Sequence, residues 1–304
     1  MASSLSHYYR VCSANMFGLW EKIEEAIRAF FIGLIESNLK TMFADVNEQT
    51  ASIAEQIGKT PQGWNGDVFT LIRALSETVI IPIAGMVITF VLCYELITMI
   101  TEKNNLHDND TFSFFKYFVK MWVAVYLVTH TFDITMAIFD VSQHVVSSAT
   151  ALIRGETYID IHTVLAQMLA GLEGKGIAEL AAIAMETLLV SNGMKVLSVL
   201  IVIILYGRMI EIFLTCSVAP LPMATLTSRQ FGQMGNNYLR NLIALGFQGF
   251  FMMVCVAIYA VLVQSVILSA DIHANIFQIV AYTVLLCFSL FKTGSLSKSI
   301  FNAH

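Results

Sequence analysis

The sequence predicts an all-α integral membrane protein with about five transmembrane helices, and three observations predict it. Hydrophobic residues make up 57% of the 304-residue chain and charged ones only 13%, where soluble domains hold about half and a quarter. Mean hydropathy is +0.70. Several long segments are nearly free of charge, and a helix needs roughly 20 apolar residues at about 1.5 Å each to cross a hydrocarbon core of about 30 Å.

Taken in order, Met16 to Phe43 places Phe17, Trp20, Ile23, Ile27, Phe30, Phe31, Leu34 and Ile35 at helical spacing, with Glu21, Glu24, Glu25, Arg28 and Glu36 opposite. This amphipathic helix lies either in the membrane interface, on another part of the same protein, or against a neighbouring subunit. It belongs to an N-terminal region, 1–77, read as external. The stretch "GKTPQGWNG" from Gly58 to Gly66 punctuates the chain with a turn. A polytopic domain, 78–304, follows, with spans at 78–100, 113–139, 196–215, 242–268 and 276–292. The first contains Glu95 and the fourth no charge at all. The fifth, uncharged over about 16 residues, crosses only if its flanks join in. A further amphipathic helix at 177–190, carrying Glu179 and Glu186, precedes the third span within a long external connection, 140–195.

Lys/Arg placement sets the orientation. One side receives Lys103, Lys116, Arg229, Arg240, Lys292 and Lys298, while the "SADIHAN" loop on the other has none. The expected protein is multi-pass in the cell membrane, with an external N-terminus and a cytoplasmic C-terminus. The N-terminus lacks the pattern of a cleavable signal, so the first span is expected to do the targeting.

Polar residues inside the spans are the candidates for function, because an ionisable group in hydrocarbon costs a few kcal/mol and faces a bundle interior, a partner or a watery cavity. Glu95 is one. In the second span Tyr126, His130, Asp133, Asp140 and His144 fall within an arc of roughly 80° on a straight helix. In the third, Arg208 and Glu211 share a face and could pair with each other or with Asp133. They form either a buried structural pair or the lining of a hydrated passage or subunit interface. Pro220 and Pro222 cannot continue a helix, so the third span is expected to end there in a cytoplasmic loop, 216–241, that is non-helical or re-entrant. Gly246 and Gly249, with Ala244, are candidates for close helix approach.

Other chemistry finds little footing. The sequence holds no HExxH, GxSxG or GxxxxGK[ST], and "GLEGKG" at Gly171 to Gly176 has the wrong spacing to cradle phosphates. His130 and Asp133 alone do not make a metal site. No catalytic residue, cofactor or metal is therefore expected. The five cysteines, Cys12, Cys93, Cys216, Cys255 and Cys287, show no CxxC and no disulfide framework. A net charge of −5 without a Lys/Arg cluster argues against a standing nucleic-acid surface. A self-contained small-solute transporter remains the alternative; it would show an internal repeat with paired broken helices, and the sequence has one clear break, at Pro220 to Pro222. A membrane-embedded enzyme would need a nucleophile/base or metal constellation.

Whole stretches, namely "TPQGWN", "IPIAGMVITFVLCYELITMITEKNNLHD", "VAVYLVTHTFDI", "YGRMIEI", "GNNYLRNLIALGFQGFFMMVCVAIYAVLV" and "YTVLLCFSLFKTGSLSKSIFNAH", resemble the TrbL-like conjugal transfer proteins carried by integrative conjugative elements of Gram-positive bacteria. The resemblance runs over nearly the whole chain. It implies the polytopic membrane subunit of a type IV secretion system, helping to form the passage through which a relaxase-bound single DNA strand and protein substrates leave the donor. It further implies an external N-terminus, about five spans, a large external connection after the second span, a cytoplasmic C-terminus, and partner ATPases as the source of energy. The expected partners are other copies of the chain in a ring, further secretion subunits, membrane lipid, and DNA with its relaxase in transit.

Overall fold

A computed structural model describes residues 2–102, 111–153, 161–172, 174–266 and 272–303. Lys103 and the end of the predicted fourth span, 267–268, lie outside them. Among the described residues the regular structure is all helical, in twelve segments.

Helix α1 (Ala2–Ile57) is longer than the predicted 16–43. Its polar stretch Asn47 to Gln49 hides a continuing apolar spacing: Ile35, Leu39, Met42, Phe43, Val46, Ile53 and Ile57 are all buried. In its N-terminal half, by contrast, Trp20, Ile23, Ile27 and Phe30 are exposed.

The "TPQGWN" stretch caps two helices in six residues. Thr60 Oγ1 accepts from the Gly63 amide at 3.1 Å over the single turn α2 (Pro61–Trp64), with proline at its start where no amide partner is needed. Asn65 Oδ1 accepts from the amides of Asp67 and Val68, which starts α3 (Gly66–Leu75). A π turn at Ser76–Ile80 joins α3 to α4 (Ile81–Glu102). Pro82 gives the reason: it has no amide for the carbonyl one turn back and its ring crowds that turn, and widening the turn relieves both.

Helices α5 (Thr111–Thr129) and α6 (Thr131–Ile153) follow. The predicted second span is therefore not straight, but bent by 70° at His130. Thr131, fully buried, turns its hydroxyl onto the carbonyls of Leu127 (2.6 Å) and Val128 (3.0 Å). Carbonyls at the bend so find a donor inside the protein, as non-helical backbone in a membrane requires.

After α7 (Ile161–Ala170), one unbroken helix, α8 (Ile177–Ser217), runs for 41 residues. The expected separate helix at 177–190 is its first part. The prolines do end α8, and the loop expected to be non-helical or re-entrant over 216–241 holds one helical turn, α9 (Pro220–Met223), then short turns up to Gly232, where the next helix begins. Helices α10 (Gly232–Val266) and α11 (Ile272–Ile300) complete the chain. Four described helices are long and apolar enough to cross a membrane, Gly66–Thr101, Ile177–Ser217, Gly232–Val266 and Ile272–Ile300, and the bent pair makes a fifth if it counts as one crossing.

The chain forms two compact units that divide it differently from 1–77 and 78–304: Met1–Ala51 with Glu156–Leu200 and Ile258–Leu286, and Ser52–Gly155 with Ile201–Ala257 and Cys287–His304. In the first, Arg28 Nη2 donates to the Lys175 carbonyl, Asn38 Nδ2 donates to Thr187 Oγ1 at 3.2 Å, and Tyr259 and Thr283 share a buried hydrogen bond of 2.9 Å. Burial pushes the Asp45 carboxyl on α1 above the usual carboxylate range, against the opposing pull of Lys195.

The second unit has two apolar cores. One joins Phe69, Phe132, Phe139, Met209, Ile212, Phe213, Leu242 and Leu245, with Trp64 packed on it and edge-on to Tyr206 at 5.4 Å. The other joins Ala84, Ile88, Leu92, Ala124 and Val128 with Ala224, just past the proline turn.

Candidate functional site

In the second unit three of the acids singled out by their position, Glu95, Asp133 and Glu211, each take a base from another helix. Glu95 on α4 accepts from Lys120 Nζ on α5 at 2.6 Å, and its Oε1 also accepts from the Arg229 amide at 2.9 Å. Asp133 on α6 lies 3.3 Å from Arg73 on α3, which also holds Glu77 at 2.8 Å. Glu211 on α8 lies 2.8 Å from Lys298 Nζ on α11. These contacts correct the two pairings weighed for Arg208 and Glu211: among the described residues Arg208 forms an ion pair with neither Glu211 nor Asp133, whose carboxylates meet Lys298 and Arg73 instead, although Glu211 lies near enough for its charge to act on Arg208. Helix α11 carries on past Phe291, so Lys298 stands beside Glu211 instead of in an aqueous tail.

Arg208 is buried at 7% exposure, and its Nε has no hydrogen-bond partner among the described residues. Gly249 on α10 makes room for it: a Cβ there would stand 2.9 Å from Arg208 Nη2 and 3.2 Å from Ile57 and Val146. One turn earlier a Cβ on Gly246 would overlap Ser142 of α6. Ala244 meets α11 through its carbonyl, which accepts from Ser297 Oγ at 2.6 Å.

The predicted stripe on the second span is divided by the bend. Tyr126 belongs to α5, and the His130 ring stacks on it with centroids 4.3 Å apart; Trp122 stacks on Tyr126 from the other side at 5.7 Å. Asp133, Asp140 and His144 sit on α6, all three exposed. Among the described residues no cluster of three metal-ligating side chains occurs.

Sequence reasoning missed Arg73, Lys298, Ser297 and Gly235. A Cβ on Gly235 would stand 2.8 Å from both Leu226 Cα and the Pro222 carbonyl, so glycine lets the start of α10 close onto the proline turn. The signal for the C-terminal pair was present: Leu290, Thr293 and Ser297, at helical spacing, are all buried, which extends the helix that delivers Lys298.

Residues 46–220, more than half of the chain, match the family described as TrbL/VirB6 plasmid conjugal transfer like protein. The chain belongs to that family. It is thus a conjugal transfer protein of a type IV secretion system, and its apolar helices make it a multi-pass membrane protein. Neither a curated protein nor a solved structure matches the chain. The matched segment includes Glu95, Tyr126, His130, Asp133, Asp140, Arg208, Glu211 and Pro220, and leaves Pro222, Gly246, Gly249 and Lys298 beyond its end.

Proposed function

We propose that this protein is a membrane channel subunit of the conjugative apparatus, helping to form the passage for relaxase-bound single-stranded DNA and protein substrates. The observation that carries the reading is the family match over residues 46–220. Interhelical charge pairs such as Glu95–Lys120 and Glu211–Lys298 support it, since charged groups are costly in hydrocarbon and mark substrate paths as well as buried contacts. The subunit itself is not an enzyme in this reading. Partner ATPases supply the energy, the N-terminus is external and the C-terminus cytoplasmic.

The experiment is covalent capture during mating. Donor cells carrying the tagged full chain are cross-linked while transfer proceeds, the protein is recovered under denaturing conditions, and the transferred strand is amplified from it. The expected result is recovery of the mobilised strand well above a non-mobilised plasmid, lost when the relaxase is absent. Transfer that needs the protein but never leaves DNA attached to it would reduce the subunit to a scaffold and overturn the channel role.

A further inference from the structure

We propose that the second unit carries a binding site for an anionic phospholipid, with its phosphodiester held by Arg229 and Arg240 and an acyl chain laid along α4. The site has two halves. A cavity of about 280 Å³ is lined by Ser228, Arg229, Gly232, Gln233, Asn236 and Arg240, together with Asn237. Among the described residues neither guanidinium forms an ion pair, so two cations face one small cavity whose other walls are amides, a hydroxyl and the start of α10. Glu95, which accepts from the Arg229 amide, has its charge met by Lys120 at 2.6 Å, and no acid among the described residues lines the cavity, which leaves it an excess of positive charge.

The second half is a shallow, open apolar groove along one face of α4, lined by Pro82, Gly85, Met86, Thr89, Phe90 and Cys93. Phe90 links the two. Its ring stands 6.3 Å from that of Phe231, which lies in sequence between the cavity residues Arg229 and Gly232, and Tyr94 packs edge-on to Phe231 at 5.7 Å. Tyr94 is of the amphipathic aromatic kind that sits where a membrane passes from hydrocarbon to headgroups. Basic pockets between transmembrane helices bind anionic headgroups.

A lipid fits this juxtaposition better than a nucleic acid strand does. The groove runs along a helix apolar enough to cross the membrane, with Met86 and Phe90 67% and 62% exposed, so it meets acyl chains. A single strand instead stacks its bases on aromatic faces within a basic, wet groove. The inference does not depend on the channel reading.

The test uses the full chain purified in an uncharged detergent, with native mass spectrometry counting bound dioleoyl phosphatidylglycerol against dioleoyl phosphatidylcholine. The expected result is at least a tenfold preference for phosphatidylglycerol. The double variant Arg229→Gln/Arg240→Gln should lose it, and both side chains are exposed, so the fold should survive, as an unchanged melting temperature would show. Gly85→Leu fills the groove. A Cβ at Gly85 meets nothing within 4 Å, and this variant should also weaken phosphatidylglycerol binding tenfold while leaving competition by glycerol phosphate as in the wild type. Equal retention of the two lipids would overturn the proposal. So would a preference that the arginine variant abolishes and Gly85→Leu leaves intact, which would mean surface charge alone. Tighter binding of a single-stranded oligonucleotide than of phosphatidylglycerol, with the same dependence on Arg229 and Arg240, would reassign the cavity to nucleic acid.

Discussion

At the scale of single residues, the acids Glu95, Asp133 and Glu211 stand out in the sequence because a charge inside an apolar run is costly wherever it faces. Their partners do not stand out. Arg73, Lys120 and Lys298 are 60, 25 and 87 positions away from them, and one chain carries no record of which flank returns to which span. Proximity along the helix suggested Arg208 for Glu211, yet Arg208 is buried against Gly249 while Glu211 reaches Lys298. A charge exchange tests this pairing. Glu211→Ala and Lys298→Ala should each lower the amount of protein in the membrane, since each strands one charge beside apolar helices. The exchange Glu211→Lys with Lys298→Glu should recover most of it, and immunoblotting of membrane fractions reads all three. An exchange no better than the single variants would show that the 2.8 Å contact contributes nothing, as for many solvent-exposed ion pairs.

At the scale of elements, helix existence was legible and helix continuity was not. Apolar length marks each crossing, but the 70° bend at His130 depends on the buried Thr131 hydroxyl and on what α5 and α6 pack against, and no residue there breaks a helix by itself. Prolines mislead in the other direction. Pro220 stands at the first position of a helical turn, where proline is well tolerated, and the turn is buried through Pro220 and Met223. The continuity of α8 through Asn192 and Gly193 is the sharpest difference from the sequence reading, which ends one helix at 190 and begins another at 196. A Cβ on Gly193 would meet nothing within 4 Å, so within an unbroken helix Gly193→Ala should stabilise the protein by about 1 kcal/mol and Gly193→Pro should cost about 3 kcal/mol or more. Thermal unfolding in mild detergent measures both. If both variants melt with the wild type, the segment is a joint between two helices.

At the scale of the whole molecule, the number of crossings follows from composition, whereas the division into two compact units does not. Helices α8, α10 and α11 each give part of their length to one unit and part to the other, and nothing in their hydropathy marks where one unit stops. The same long helices bear on assembly. Crossing helices that pack together fill the space between them with side chains, and within the second unit the cores built on Phe69, Phe132 and Leu245 and on Ala84, Val128 and Ala224 are of that filled kind. On the proposed channel reading, a passage for a DNA strand would lie between copies of the chain, and head-to-tail contacts that close make a ring. Exposed side chains are available to form such contacts: Trp122 and Tyr126 stack together at the surface, and Phe288 and Phe291 are 66% and 75% exposed. Lipid can cover these apolar groups as well as protein can, and it is the proposed channel, which needs a lumen, that favours protein. Native mass spectrometry of the gently solubilised protein should resolve a homo-oligomer of defined copy number, and cross-linking through cysteines placed at Trp122 and Phe291 should give species up to that number and no further. A strictly monomeric particle in every mild detergent and in lipid nanodiscs, with no cross-linked species in intact membranes, would leave the bundle without a lumen and count against the channel.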